Sequence, residues 1–178
     1  MKIVQGDLLA MANDGKFDVI VHGCNCFCTM GAGIAKSIKH KFPAAYEADL
    51  RTQEGDPEKL GTYTSAVVPC QRTKQQHRQT LTIINAYTQY YWKPREKRVN
   101  GRRKLMRPVN YDAIRLAFRN IKQEHSGKRL AYPKIGAGLA GGNWEIIYRI
   151  IDEELDGEDH TLVVYQELTT QRIRTQQP

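Results

Sequence analysis

A chain of 178 residues has the length of one domain and is long enough to enclose a hydrophobic core. Hydrophobic residues make up 40% and charged residues 26%, and no apolar run approaches the roughly 20 residues that span a bilayer, so no membrane partner is expected. The net charge of +8 is local: between residues 93 and 108 the basic Lys93, Arg95, Lys97, Arg98, Arg102, Arg103, Lys104 and Arg107 are set against the single acid Glu96, and the rest of the chain is nearly neutral.

Taken from the start, residues 2–5 are a short apolar run that enters a turn at Gly6 and Asp7. The first residues lack the apolar stretch of a signal peptide, so the protein is expected to stay where it is made, in the cytoplasm. Phe17 to His22 is dominated by β-branched residues, the pattern of a buried strand in a mostly parallel sheet. Gly31-Ala32-Gly33 leads into Ile34, Ala35, Ile38 and Phe42 at helical spacing, Pro43 marks a break, and a second short helix follows through Tyr46 and Leu50.

Residues 62–69 and 80–87 read as strands, with the polar stretch Gln71–Gln79 as a hairpin connection between them. The basic segment 93–108 reads as an inserted loop. Asn110 is placed to cap a helix with Asp112 in its first turn, and Ile114, Ala117, Phe118 and Ile121 supply its buried stripe. Residues 129–132 form another short strand, followed by Pro133 and the run Gly136-Ala137-Gly138-Leu139-Ala140-Gly141-Gly142. Asn143 caps a last helix that buries Trp144, Ile147, Ile150, Ile151 and Leu155, and residues 161–165 close the sheet. Alternating strands and helices predict an α/β fold with helices on both faces of one sheet, a single domain over residues 1–168, and a flexible polar tail over 169–178.

Two segments, Gly31–Gly33 and Gly136–Gly142, share one layout: a strand ends, glycines follow, and a helix begins. Backbone N–H groups at a helix start have no intrahelical partner, and the helix dipole adds positive charge at the same place. Glycine removes the Cβ that keeps a phosphate away from the backbone. Such loops make either tight turns or anion cradles, and two in one small domain point to a ligand with two phosphates. No G-x4-G-K-[ST] stretch occurs, which argues against ATP hydrolysis by a P-loop.

Cys24, Cys26 and Cys28 lie two apart and Cys70 is remote, a spacing that suits neither a disulfide framework nor a zinc knuckle. Free thiols and metal-free chemistry are expected. The C-x5-R layout of cysteine phosphatases is absent, because no arginine follows Cys28 until Arg51.

Several motifs in order resemble the macrodomain family. They are Gly6-Asp7-Leu8 after the first strand, His22-Gly23-Cys24-Asn25-Cys26 leading to Met30-Gly31-Ala32-Gly33-Ile34-Ala35, and Pro133-Lys134-Ile135-Gly136-Ala137-Gly138-Leu139. Trp144-Glu145 and the ending Val163-Val164-Tyr165-Gln166 complete the resemblance, which covers nearly the whole chain apart from the basic insertion and the tail. It implies a three-layer α/β/α fold with a mixed, mostly parallel sheet, and ADP-ribose or ADP-ribose 1″-phosphate as ligand without a cofactor.

The segment from His22 to Ala35 is most similar to the branch that removes phosphate from ADP-ribose 1″-phosphate. A sister branch hydrolyses ADP-ribose from protein side chains or nucleic acid bases, using a lysine just after the fourth strand and an aspartate in the second glycine loop. Those places fall at Tyr87 or its neighbours and at Ala140, so this chain departs from that pattern. A reader that binds ADP-ribose without chemistry remains a third expectation.

The resemblance also implies residue roles, each with a bland alternative. Asp7, flanked by Gly6 and Leu8, accepts from the adenine amino group, or it caps a helix. Asn25 bonds the distal ribose, or it closes an Asx turn. The backbones of Gly31, Ala32, Gly33 and Ile34, and of Ile135, Gly136, Ala137, Gly138 and Leu139, hold the phosphates. Tyr165 packs on the adenine, or belongs to the core. His22 ends a buried strand where the first loop opens; its ring either points into the cleft as the group that activates water, or is hydrogen-bonded inside the sheet. The basic segment is a solvated flap, a cover over an anionic ligand, or a weak contact for nucleic acid, for which Tyr90, Tyr91 and Trp92 offer stacking faces.

Overall fold

The β-branched run of residues 17–22 becomes the strand Val19–Asn25, buried on both faces, and the fold is built outward from it. The computed structural model describes residues 1–70 and 80–165. The expected connection at 71–79, the tail and Gln166 lie outside the described residues. In chain order the elements are β1 (Lys2–Gln5), α1 (Leu8–Asn13), β2 (Val19–Asn25), α2 (Gly33–Lys41) and α3 (Pro43–Leu50). A 3-10 turn (Pro57–Lys59), β3 (Tyr63–Pro69), β4 (Thr80–Gln89), β5 (Arg95–Val99) and β6 (Arg102–Met106) follow. The chain closes with α4 (Tyr111–His125), β7 (Leu130–Tyr132), α5 (Trp144–Glu154) and β8 (His160–Val164).

Six strands form one sheet in the order β1-β8-β7-β2-β4-β3, parallel except for β3, which runs antiparallel to β4. The period of two along β2 and β4 divides the core between the faces. Val19, Val21, Ile84 and Ala86 pack under α4 and α5 with Phe118, Ile121, Ile147 and Ile151. Ile20, Leu81 and Ile83 pack on the other side with Leu9, Ala12, Ile38, Phe42 and Ala45 from α1, α2 and the start of α3. This is the expected three-layer arrangement of a mixed, mostly parallel sheet. No helix among the described residues is long and apolar enough to cross a membrane.

Two elements differ from expectation. The turn expected after β1 is a six-residue helix, α1, too short to show a periodic stripe. The inserted loop holds an antiparallel ribbon, β5 with β6, whose two-residue turn is Asn100-Gly101. Both turn residues have positive φ, 50° and 75°, the conformation that an Asn-Gly hairpin turn demands.

Because β1, β8, β7, β2 and β4 run parallel, the segments that follow them all emerge at one carboxyl edge. Asp7, the first glycine loop, the stem of the basic ribbon, the second glycine loop and Tyr165 therefore share that edge, where open α/β sheets bind their ligands. The chain leaves β2 for β3 and β4 on one side and returns to β7 on the other, so the edge splits between β2 and β7.

Candidate functional site

A cleft of about 490 Å³ opens at that split. Its walls are the segment after β2, with Asn25, Thr29, Gly31, Ala32, Gly33, Ile34 and Ala35, and the segment after β7, from Pro133 to Gly136 and Gly138 to Ala140. Gln89 and Trp92 close one side. Gly23 lies in the floor, where an added Cβ would fall 2.8 Å from Thr88 Oγ1 and 3.1 Å from Ile135 Cγ2, so the two strands approach here because the residue is glycine.

The first wall presents the start of α2. Side chains cap α1, α4 and α5, namely Asp7, Asn110 and Asn143. α2 starts at Ala32, which has extended backbone and no side chain able to cap. The amides of Gly33, Ile34 and Ala35 are thus left for an acceptor in the cleft. Gly33 has φ +55°, and added Cβ atoms at Gly31 and Gly33 would meet nothing within 4 Å, so open space lies over the backbone.

The second wall folds on itself through Gly141 N–H to Gly138 O and Gly142 N–H to Gly136 O, at 2.9 and 2.8 Å. Gly136 needs its positive φ of 71°, and Gly142 admits no Cβ because Gly136 O lies 2.8 Å away. Those bonds use none of the amides of Gly138, Leu139 and Ala140, which line the cleft. Lys134 adds an exposed cation to this wall, and the lining also includes Thr29, Gln89 and Trp92, none of which the sequence reading assigned to the ligand. The adjacency of Lys134 to the glycine run was the available signal.

Asn25 lines the cleft, and its side chain also closes its own loop. Its Oδ1 accepts from Phe27 N–H and Thr29 Oγ1, both at 2.8 Å, and its Nδ2 donates to Thr29 O at 2.9 Å. One amide proton on Nδ2 is left over for a ligand. Beneath this loop lies a buried network that the sequence did not disclose. Lys59 Nζ donates to Cys26 O at 3.2 Å and stands 3.7 Å from Asp49 Oδ1 and 4.4 Å from the Tyr87 ring, whose hydroxyl donates to Asp49 at 2.8 Å.

The expectation that the His22 ring points into the cleft is corrected. His22 is fully buried, and its Nε2 lies 2.8 Å from Asn85 Oδ1, while Asn85 Nδ2 donates to Ala45 O at the start of α3. Alternation along β2 sends His22 to the same face as Ile20, under α3. Burial pulls its pKa down to about 4, with Asn85 and Asp49 opposing, so the ring is neutral at pH 7. The thiols are equally withdrawn: burial raises Cys24 well above its usual range and Cys26 to about 11. Among the described residues, no group of three or more His, Cys, Asp or Glu side chains is arranged to hold a metal ion.

Of the expected binding residues, Gly31 to Ile34, Ile135, Gly136, Gly138 and Leu139 come together around the cleft, and Ala137 stands outside its lining. Gly6, Asp7 and Leu8 lie further along the edge after β1, two strand spacings or about 10 Å from β7, and Tyr165 after β8, one spacing or about 5 Å from it. Leu8 is core, and the Gly6 amide is bonded to Val164 O. Asp7 caps α1, with Oδ1 accepting from Leu9 and Ala10 amides, while the carboxylate stays exposed. Tyr165 is 70% exposed, which removes the core alternative.

The family profile of the Macro domain matches residues 21–151, a span that includes both glycine loops. The chain belongs to the macro domain family. A bacteriophage T4 protein, described as an uncharacterized 17.5 kDa protein in the tk-vs intergenic region, is 35% identical to this macro domain over 85% of the chain and 88% of its own length. A Debaryomyces hansenii protein named ADP-ribose 1″-phosphate phosphatase is 24% identical over 86% of the chain and 93% of its own. The macrodomain of Thermus aquaticus DarG superimposes with a TM-score of 0.60 at 23% identity, covering 93% of the chain and 97% of that structure, a likeness of fold.

Proposed function

We propose that this macro domain binds ADP-ribose in the cleft between its glycine loops and hydrolyses ADP-ribose 1″-phosphate to ADP-ribose and phosphate. The uncapped start of α2 carries the binding reading. Its free amides and the positive end of the helix dipole face open space, and the amides of Gly138, Leu139 and Ala140 face it from the other wall, a two-sided cradle for a pyrophosphate. The distal ribose reaches Asn25, and the adenine extends along the edge toward Asp7 and Tyr165.

The phosphatase reading draws on the relatives that bear that name and on the resemblance of the His22–Ala35 segment to that branch. Where the glycohydrolase branch has a lysine and an aspartate, Tyr87 is a buried residue of β4 and Ala140 brings no charge to the cleft. In the reaction, water adds to phosphorus and the bond to the ribose oxygen breaks. That oxygen leaves with the electron pair and takes up the proton that the attacking water gives up. Cys24 and Lys134 are the titratable side chains in the lining, and the Cys24 thiol is held protonated. Catalysis therefore falls on orientation by Asn25 and on fixed amides and Lys134 placed where charge develops. His22, bonded to Asn85 under α3, takes no part in this step.

The test is phosphorus NMR of the purified protein with ADP-ribose 1″-phosphate and no added metal. Growth of free phosphate and ADP-ribose is expected, with a rate that follows the substrate's own second phosphate ionisation near pH 6. Shifted pyrophosphate resonances without turnover would replace the phosphatase with a reader, a reading favoured by a lining that holds no carboxylate or imidazole and whose Cys24 thiol is held protonated. No shift at all would overturn the ligand.

A further inference from the structure

From the β5–β6 ribbon and the aromatic residues at its root, we propose a binding arm for single-stranded nucleic acid, held beside the cleft. All ten residues of the two strands are exposed, so the ribbon has no core face of its own. Its register sets Lys97 opposite Lys104 and Arg98 opposite Arg103. Like charges directly opposite each other destabilise a ribbon, and a two-stranded ribbon is marginal to begin with. A bound polyanion would offset both costs.

The alternation sorts the charges onto two unequal faces. Arg98 and Arg103 share one face with Glu96, which stands 3.6 Å from Arg103. Arg95, Lys97, Arg102 and Lys104 share the other face, where no acid is present, and cations along each strand recur roughly every 7 Å. Arg95 marks where this face looks: its guanidinium lies 3.7 Å above the Tyr91 ring and 5.8 Å from that of Trp92. Trp92 is itself a wall of the cleft, and at the other stem Arg107 packs 3.2 Å from where a Gly141 Cβ would stand. The cationic face thus continues into an aromatic cluster of Phe27, Tyr90, Tyr91 and Trp92, with neighbouring rings 4.7–5.4 Å apart, from which Trp92 stands exposed.

A cationic track ending on an exposed aromatic ring is the arrangement that holds single strands, with phosphates on the cations and a base on Trp92. An anionic membrane fits less well, because the ribbon presents no contiguous apolar face to insert and such a surface would leave the exposed Trp92 ring unused. Val99, Leu105 and Met106 are split between both faces and both ends of the ribbon.

Fluorescence anisotropy of a labelled 20-nucleotide oligo(dT) tests the arm over a series of salt concentrations. Binding to the parent is expected to weaken steeply with salt. K97Q/R102Q/K104Q is expected to bind roughly tenfold less tightly at 0.1 M salt, and its log–log salt slope to be shallower by about 2, from about 0.7 per lost phosphate contact. The control K16Q/K122Q/K128Q, away from the ribbon, should match the parent. Calorimetry with ADP-ribose should give the same affinity for parent and both variants, so a failure of the cleft reading shows separately. Equal loss in the control, no measurable oligonucleotide binding by the parent, or binding to phosphatidylserine vesicles without binding to oligo(dT) would each overturn the proposal.

Discussion

His22 shows how one residue's role turns on which face of a strand it occupies. Its position at the strand end made it the natural candidate for proton transfer, yet the period of two places it with Ile20 under α3, bonded to Asn85. The alternation was legible; that α3 and Asn85 seal that face was not, because those partners lie 23 and 63 residues away. Its pH signature follows from the lowered pKa. The folded ring takes a proton only near pH 4, and an unfolded histidine near 6.5. Between these values the unfolded chain binds more protons, so stability is lost as pH falls from about 6.5 toward 4. By pH 4.5 the loss from this residue is about 2.5 kcal/mol, an order-of-magnitude figure. Urea unfolding of His22→Gln should therefore show a smaller difference between pH 7.5 and 4.5 than the parent, with phosphate release at pH 7 retained. Parallel pH profiles in the two proteins would mean that the ring is not held neutral by burial. Loss of turnover in a well-folded variant would restore it to the chemistry.

Elements were legible in proportion to their periodicity and their caps. α4 and α5 announced themselves through Asn110 and Asn143 and through stripes of buried Ile and Phe. The six residues of α1 offered only Asp7, and the ribbon was read as a loop because its charges mask any strand pattern, although Asn100-Gly101 is a strong hairpin signal. The start of α2 is the reverse case, in which the missing cap is the functional feature. A side-chain acceptor placed there should stabilise the helix and occupy the anion site together. Ala32→Asp is expected to raise stability by about 0.5–1 kcal/mol, since the backbone at residue 32 is already extended as a cap requires. The same carboxylate would repel a pyrophosphate and compete for its amides, so ADP-ribose affinity should fall by roughly 30-fold or more. Calorimetric titration with thermal unfolding of both proteins checks the pair of effects. A stabilised variant with unchanged affinity would show that the phosphates lie elsewhere.

At the scale of the whole molecule, the charge map and the core map barely overlap. The two largest hydrophobic clusters draw on β2, β3, β4, β7, β8 and the five helices, and neither includes a residue of β5 or β6. The uneven charge was legible at once in the sequence; that it forms a ribbon standing on the carboxyl edge was not, since nothing local in residues 93–108 says which edge they spring from. The separation predicts that the ribbon can be removed without unfolding the domain. Arg95 pairs with Met106, so a short Gly-Ser link can replace residues 95–106 without stretching the stems. That deletion takes away six cations and one acid, lowering the net charge by five, from +8 to +3. The thermal midpoint should stay within about 4 °C of the parent, which corresponds to about 1–2 kcal/mol for a domain of this size. ADP-ribose should still stabilise the deleted protein by about 2.7 kcal/mol at one hundred times its dissociation constant, as mass action requires of any ligand that binds only the folded state. A large fall in midpoint would mean that the ribbon braces the second glycine loop through Arg107 and Gly141, and that the basic insertion is part of the fold rather than an arm mounted on it.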